Sequence, residues 1–348
     1  MERFKNLPNF ASAMTVIENC PMKGRNTFGI DVSADKFIEF GNEDELRSVL
    51  AQAGTPLLTV GGGSNLLFLD DFHGTVLHSA ISGIEVLEET DEYVMVSAGS
   101  GVVWDDFVGY CVGHGWWGAE NLTAIPGEVG ASAVQNIGAY GCEVGDIIHE
   151  VRTVSVKDGS VRVFSNEECR YGYRYSIFKA ELKGQYIVTY VTYRLSRKAN
   201  PNLGYGALRQ SVGESGETTL ENIRNAVRRI RDSKLPDPKV LGNAGSFFMN
   251  PVISQSDFES IRRAYPEVPS YPAGEGLVKV PAGWLIEKCG WKGRALGPAA
   301  VHDRQALVLV NRGGAKGSDI KALADAVISD VEARFGIRLK AEVNFILS

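Results

Sequence analysis

The chain has 348 residues, 44% of them apolar and 22% charged, ordinary values for a globular protein of two or three domains. Lys and Arg number 36 against 42 Asp and Glu, and the net charge of -6 argues against nucleic acid or an anionic membrane as the main partner, because both reward a basic surface. Five scattered cysteines form no CxxC pair and five histidines no HxH or HxxxH spacing, so neither a disulfide framework nor a metal site is expected; with no signal-like segment and no run of roughly 18 apolar residues, the expected location is the cytoplasm.

In chain order, the first clear element is a helix over residues 42–54. Asn42 stands as its cap, Glu45 completes a capping box, Leu46, Val49 and Leu50 share a face, and Gly54 ends it. Strands are expected at 56–60 and 75–80, followed by two alternating arms, 83–89 and 93–98, that turn at Thr90-Asp91-Glu92. Residues 104–113 read as a short helix. Residues 151–164 read as a hairpin whose arms flank a tight turn at Asp158-Gly159. A strand is expected at 186–195. A helix over 218–234 has a Thr218/Glu221 capping box and is stopped by Pro236. Residues 318–335 show the most regular helical spacing, closed by Gly336. The last strand, 337–346, has Ile337, Leu339, Ala341, Val343 and Phe345 on one face.

Short strands with few helices between them predict an α+β fold with mixed or antiparallel sheets rather than a doubly wound one. The stretch 200–217, rich in Gly and then in charge, is the candidate boundary before a C-terminal α+β domain.

Glycine is in excess, at 39 residues, and two segments concentrate it. Gly61-Gly62-Gly63-Ser64-Asn65 lies between apolar strands. Successive N–H groups on such a loop form an anion-binding nest, although a plain turn between strands is the simpler reading. It is neither a P-loop nor a dinucleotide turn, since no Lys-Ser/Thr and no helix follow. The second segment, 125–141, runs Ile-Pro-Gly-Glu-Val-Gly-Ala-Ser-Ala-Val-Gln-Asn-Ile-Gly-Ala-Tyr-Gly. Its small residues let backbone approach a flat polar ligand.

These two segments, with Gly172-Tyr173-Arg174-Tyr175-Ser176 and with Lys234-Leu-Pro-Asp-Pro-Lys running on to Gly245-Ser246-Phe-Phe-Met-Asn250, resemble the UDP-N-acetylenolpyruvoylglucosamine reductase family. The resemblance extends from Asn26 to Phe345, nearly the whole chain. It implies two N-terminal regions, residues 1–82 and 83–217, that bind FAD noncovalently, and a substrate-binding region, residues 218–348. It implies that NADPH reduces the flavin, which then passes hydride to the enolpyruvyl group of UDP-GlcNAc-enolpyruvate, yielding UDP-N-acetylmuramate for peptidoglycan. A monomer is expected, with no nucleic acid or membrane partner.

The resemblance also implies residue roles. Arg174 is the cation beside the substrate carboxylate, Ser246 the proton donor and Glu342 the partner that stabilises the enol-like intermediate. FAD contacts fall on Gly61, Gly62, Gly63, Ser64 and Asn65. In the second segment they fall on Ile125, Pro126, Gly127, Gly130, Ala131 and Ser132, and further on Val134, Gln135, Asn136, Gly138 and Ala139. Arg231 is added to these. UDP-sugar contacts fall on Tyr205, in a loop over the diphosphate, and on Lys234, Asn250, Tyr271, Lys279 and Gln305. Each has a plainer reading alone: a stacked surface Arg, a turn hydroxyl, a solvated carboxylate. Two other functions stand as alternatives. An FAD oxidase of an alcohol, lactone or hydroxy acid often tethers flavin through a His near the glycine loop, but the nearest here, His73, lies eight residues past Asn65. A nucleotide-sugar-binding regulator would carry no flavin.

Overall fold

The computed structural model describes residues 14–52, 54 and 56–347. Of the expected FAD-binding region 1–82, residues 1–13 lie outside them. The fold is α+β, and its chain forms two compact units that interleave in sequence. Unit 1 comprises Met1–Cys20, Ala34–Gly62 and His73–Ser233; unit 2 comprises Pro21–Ser33, Gly63–Phe72 and Lys234–Ser348.

Unit 1 contains two sheets. The first has four strands in the order Thr15–Pro21, Ser33–Phe40, Phe72–Ser79, Leu57–Val60. Leu57–Val60 runs parallel to Phe72–Ser79, with Val60 opposite His78. The helix Glu43–Leu50 packs Leu46 and Val49 onto it, with Ile38, Phe40 and Leu77. The Asn42 side chain caps this helix by accepting from the Glu45 N–H at 2.9 Å. Glu45 reaches back to the Gly41 N–H rather than to Asn42, so the expected reciprocal box is displaced by one residue. The helix also stops at Leu50, short of Gly54.

The second sheet is antiparallel, in the order Val161–Ser165, Ile148–Ser155, Tyr186–Ser196, Tyr93–Gly99, Ile84–Glu89. The helix Trp104–Gly113 buries Trp104, Phe107, Val108 and Cys111 against it, together with Tyr193 and Leu195. Each such side chain contributes roughly 1.5–3 kcal/mol on burial. The indole N–H of Trp104 is satisfied by the Leu122 carbonyl at 2.8 Å. The turn at Asp158-Gly159 is wider than the expected two-residue form, because the strands end at Ser155 and resume at Val161. The Asp158 carboxylate accepts from the Ser160 N–H and hydroxyl, and Gly159 has φ +69°.

The stretch 200–217 is not a plain boundary. It holds the helix Gly206–Gly213, whose Leu208 and Val212 pack with Ile223, Ala226 and Val227 of the helix Leu220–Lys234. That second helix is capped by Thr219, which accepts from Asn222, rather than by Thr218. All of it but the terminal Lys234 belongs to unit 1.

Unit 2 is built on the helix Gly317–Phe335. Ile320, Leu323, Ala324, Val327 and Val331 face a core containing Phe28, Leu67, Phe247, Phe248, Leu285 and Leu309. Gly336 ends the helix at φ +68°. Residues 337–343 bury Ile337, Leu339 and Val343 in alternation, but only Asn344–Ile346 is a strand, parallel to Leu66–Phe68. The alternation changes parity there: Ile346 is buried and Phe345 is exposed, contrary to the expected inward Phe345. All five cysteines are free thiols. Among the described residues, no helix is long and apolar enough to cross a membrane.

Candidate active site

The glycine loop leaves the end of Leu57–Val60 and leads into the strand Leu66–Phe68. Within unit 1, Gly61 and Gly62 lie against the turn that opens the second segment. A Cβ on Gly61 would stand 3.1 Å from Cβ of Ala131, and one on Gly62 would stand 3.4 Å from Cα of Gly127. Within unit 2, Gly63 has φ +67°, and a Cβ there would lie 2.1 Å from the Arg25 carbonyl oxygen, so only glycine fits. Its carbonyl accepts from the Thr27 N–H at 3.1 Å. The Asn65 side chain donates to the Glu342 carbonyl at 3.4 Å, and the Asn65 carbonyl accepts from Asn344.

The second segment is not continuous loop. Val129–Gln135 is a helix, ended by Asn136 in the left-handed region at φ +44°. Its side chains divide into two sets. Ile125, Val134 and Ala139 pack, partly buried, onto the second-sheet core. The Val134 carbonyl is taken by the Ser176 hydroxyl at 2.6 Å. Ser132 is buried and donates to the Val129 carbonyl, and the Gly130 N–H bonds the Ser100 carbonyl. Asn136 is fully buried, donating to Glu143 at 2.8 Å and Gly172 at 2.7 Å while accepting from the Gly145 N–H. Its side chain fastens the segment and is not a free ligand group. Pro126 is exposed and Gln135 is half-buried.

Arg174 sits at the turn Gly172–Tyr175, where the two end residues exchange backbone hydrogen bonds at 3.1 and 2.9 Å. Its φ is +54°, a strained setting for a side-chain-bearing residue and one typical of functional positions. The guanidinium lies 5.6 Å from the Tyr173 ring centroid and donates to the Gly138 carbonyl at 3.0 Å. A Cβ on Gly138 would approach the Arg174 guanidinium, the Cys142 carbonyl and Glu143, each at 3.0 Å.

Arg231 donates its Nε to the Ala124 carbonyl, beside Ile125, at 3.2 Å. Desolvation holds its pKa below the ordinary arginine value, only partly opposed by Tyr140, Asp232 and Asp105. Among the described residues, no carboxylate lies within ion-pair range of it. A half-buried cation in that state suits an anionic ligand. This cation and the close-set glycine backbones fit a bound FAD.

Tyr205 precedes the helix Gly206–Gly213 and is 42% exposed, with its ring edge-on to Tyr140 at 5.4 Å. Its approach is fixed by Asn121 and Asn202. Asn121 donates to the Tyr140 and Asn202 carbonyls, and Asn202 donates to the Gly141 carbonyl. Nothing in the sequence singled out these two asparagines. Asp105 was also missed: it binds the Ala124 N–H at 2.8 Å, Arg224 at 3.1 Å and Arg228 at 2.5 Å, tying the helix Leu220–Lys234 to the start of the segment.

In unit 2, Ser246 ends the strand Gly242–Ser246, opposite Val308. The next residue, Phe247, accepts from the Glu342 N–H at 2.8 Å, so Ser246 and Glu342 sit on adjoining backbone. The substrate candidates of this unit also gather. The Asn250 side chain accepts from the Ala282 N–H at 2.9 Å. Gln305 accepts from the Leu307 N–H at 3.3 Å, and its Oε1 would lie 3.3 Å from a Cβ on Gly283. Lys279 pairs with Tyr271 on one side and with Val252 on the other. Lys234 ends its helix and is exposed.

An FAD binding domain is recognised over residues 34–165, which contain both glycine segments, and the fold is that of a flavin-dependent oxidoreductase. Residues 237–346 match the UDP-N-acetylenolpyruvoylglucosamine reductase C-terminal domain. The chain is 55% identical over 323 residues to the UDP-N-acetylenolpyruvoylglucosamine reductase of Bacteroides fragilis, covering 92% of this chain and 97% of that protein. It is 48% identical over 338 residues to the protein of the same name from Porphyromonas gingivalis, covering 96% and 100%. The crystal structure of the Thermus caldophilus UDP-N-acetylenolpyruvylglucosamine reductase matches the fold with a TM-score of 0.66 at 23% identity, covering 96% of this chain and 98% of that one. The chain belongs to the UDP-N-acetylenolpyruvoylglucosamine reductase family.

Proposed function

We propose that this oxidoreductase uses NADPH to reduce noncovalently held FAD and then reduces the enolpyruvyl group of UDP-GlcNAc-enolpyruvate, giving UDP-N-acetylmuramate for peptidoglycan synthesis. The observation that carries the flavin reading is the contact of Gly61 and Gly62 with Gly127 and Ala131, next to Ala124 and its bonded cation Arg231. Family membership supports the substrate. The protein acts in the cytoplasm as a monomer. Residues 1–82 and 83–217, each region with its own sheet as support, hold FAD together with Arg231, and residues 218–348 bind substrate together with Tyr205.

FAD supplies reversible hydride transfer when bound; the protein's groups do the rest. Hydride addition to the enolpyruvyl methylene leaves negative charge on the neighbouring carbon and its carboxylate. Arg174 meets that carboxylate and stabilises the charge. Glu342 assists the enol-like species, and Ser246 delivers the proton to the carbon. Tyr205, Lys234, Asn250, Tyr271, Lys279 and Gln305 hold the UDP-sugar through phenol, ammonium and amide donors. Anaerobic stopped-flow spectroscopy tests the reading. NADPH should bleach the flavin and UDP-GlcNAc-enolpyruvate should restore its colour; a reduced flavin indifferent to that substrate would defeat it. Acid precipitation should leave the yellow colour in the supernatant, and flavin retained in the pellet would contradict noncovalent binding.

A further inference from the structure

His78 has no role in the chemistry above, yet both its ring nitrogens are engaged. Nδ1 lies 2.8 Å from Oε2 of Glu39, and Nε2 lies 2.9 Å from Oε1 of Glu128. The ring stacks on Phe37, with centroids 6.1 Å apart. His78 pairs across the parallel ladder with Val60, the last residue before the glycine loop. Glu128 precedes the helix Val129–Gln135, but its side chain makes no cap there. It turns toward the loop instead: its Oε2 would be 3.2 Å from a Cβ on Gly61, and its Oε1 3.9 Å from one on Gly62. A carboxylate therefore stands directly beside backbone suited to phosphate.

We propose that His78 is a positioning residue for cofactor retention: bridging Glu39 and Glu128, it holds the Glu128 carboxylate against Gly61 and Gly62 and, when protonated, offsets its charge where the phosphates of FAD approach. The inference rests on the reading that the glycine loop contacts FAD. The charged groups facing the ring are Glu39 from the strand Ser33–Phe40 and Glu128 from the turn before Val129–Gln135, while the neighbouring strand Leu57–Val60 brings none. Burial alone lowers the imidazole pKa, but the hydrogen bonds and charges of Glu128, then Glu39, outweigh it and hold the group above its ordinary 6.5. Proton binding and binding of an anionic cofactor then reinforce one another, by linkage.

The test follows flavin release from the diluted holoenzyme by fluorescence, from about pH 6 to 8.5 at constant ionic strength. Wild type should release FAD about tenfold faster at the alkaline end, within the range of roughly 5–150-fold by which coupled sites alter one another's binding. His78→Gln should release it fast at every pH. Glu128→Gln, lacking the charge to be offset, should retain it at every pH and serves if His78→Gln does not fold. Wild-type pH dependence in either variant overturns the proposal. Gly62→Ala separates loop contact from positioning, since its methyl makes only an ordinary 3.4 Å contact within the protein. If Gly62→Ala sheds flavin while the His78 and Glu128 variants behave as wild type, only the positioning role fails. If Gly62→Ala keeps its flavin, the loop reading fails and the proposal with it.

Discussion

The guanidinium of Arg174 is bonded to the carbonyl of Gly138, 36 residues earlier in the chain. The cation on one turn is thereby fixed to the segment that also carries Gly127 and Ala131. A left-handed arginine held in this way is oriented before any ligand arrives, which favours electrostatic stabilisation without reorganisation.

Arg174→Ala is expected to slow flavin reoxidation by the enolpyruvyl substrate by about 10²–10³-fold and to weaken its binding. Arg174→Lys should recover little, because an ammonium lacks the planar fork that serves Gly138 and a carboxylate together. Glu342→Gln should slow the same half-reaction. Transient kinetics reads each effect, and a normal reoxidation rate removes that residue from the mechanism.

Ser246→Ala should leave reduction by NADPH within a few-fold of wild type, since that half needs no protonated carbon. Reoxidation should fall by at least about 10²–10⁴-fold, the range supplied by general acids. Ser246→Cys should recover some of it, as a thiol is the stronger acid. Equal slowing of both halves would make Ser246 a structural residue instead.

Tyr205→Phe should weaken UDP-sugar binding by roughly 1.5–3 kcal/mol, the contribution of one hydrogen bond to a charged group. Flavin content should not change, because the ring still packs on Tyr140. Calorimetric titration with the UDP-sugar reads this, and unchanged affinity counts against the assignment.

Asp105→Asn should destabilise the protein by about 2 kcal/mol, leaving Arg224 and Arg228 without their partly buried carboxylate. Burial alone raises the Asp105 pKa; the Ala124 N–H, the Arg228 hydrogen bond and both arginine charges more than reverse this and hold it below 3.8. Its stabilising contribution is therefore present above pH 3.8 and is lost as pH falls through the lower folded value. Denaturant melts from neutral pH into acid should converge for wild type and Asp105→Asn. A constant gap would mean that the carboxylate charge does not matter.

Local pattern made much of the scaffold legible. Trp104–Gly113 falls where apolar spacing puts it, and Tyr186–Ser196 where a run rich in Tyr, Val, Ile and Thr puts a strand. The helix Val129–Gln135 was hidden: it is only seven residues long and contains Gly130 and two valines, and tertiary bonds such as Gly130 to Ser100 help impose the conformation. Phe345 misled because alternation carries no warning of a parity change, which here arises where the chain enters its pairing with Leu66–Phe68. The glycine segments stood out in the sequence, but the hydrogen-bond partners of Asn136 and His78 include ones from 7 to 50 residues away. No spacing rule encodes those distances.

The parallel pairing of Asn344–Ile346 with Leu66–Phe68 has a consequence for synthesis on the ribosome. The early strand leaves the exit tunnel unpaired, because its partner Asn344 lies 344 − 66 = 278 residues after Leu66. Contacts of such long sequence separation form late and slowly. Chains arrested before Asn344 would thus display the apolar Leu66-Leu67-Phe68 edge to chaperones and to one another, and their solubility would drop even though most of the protein had already been made.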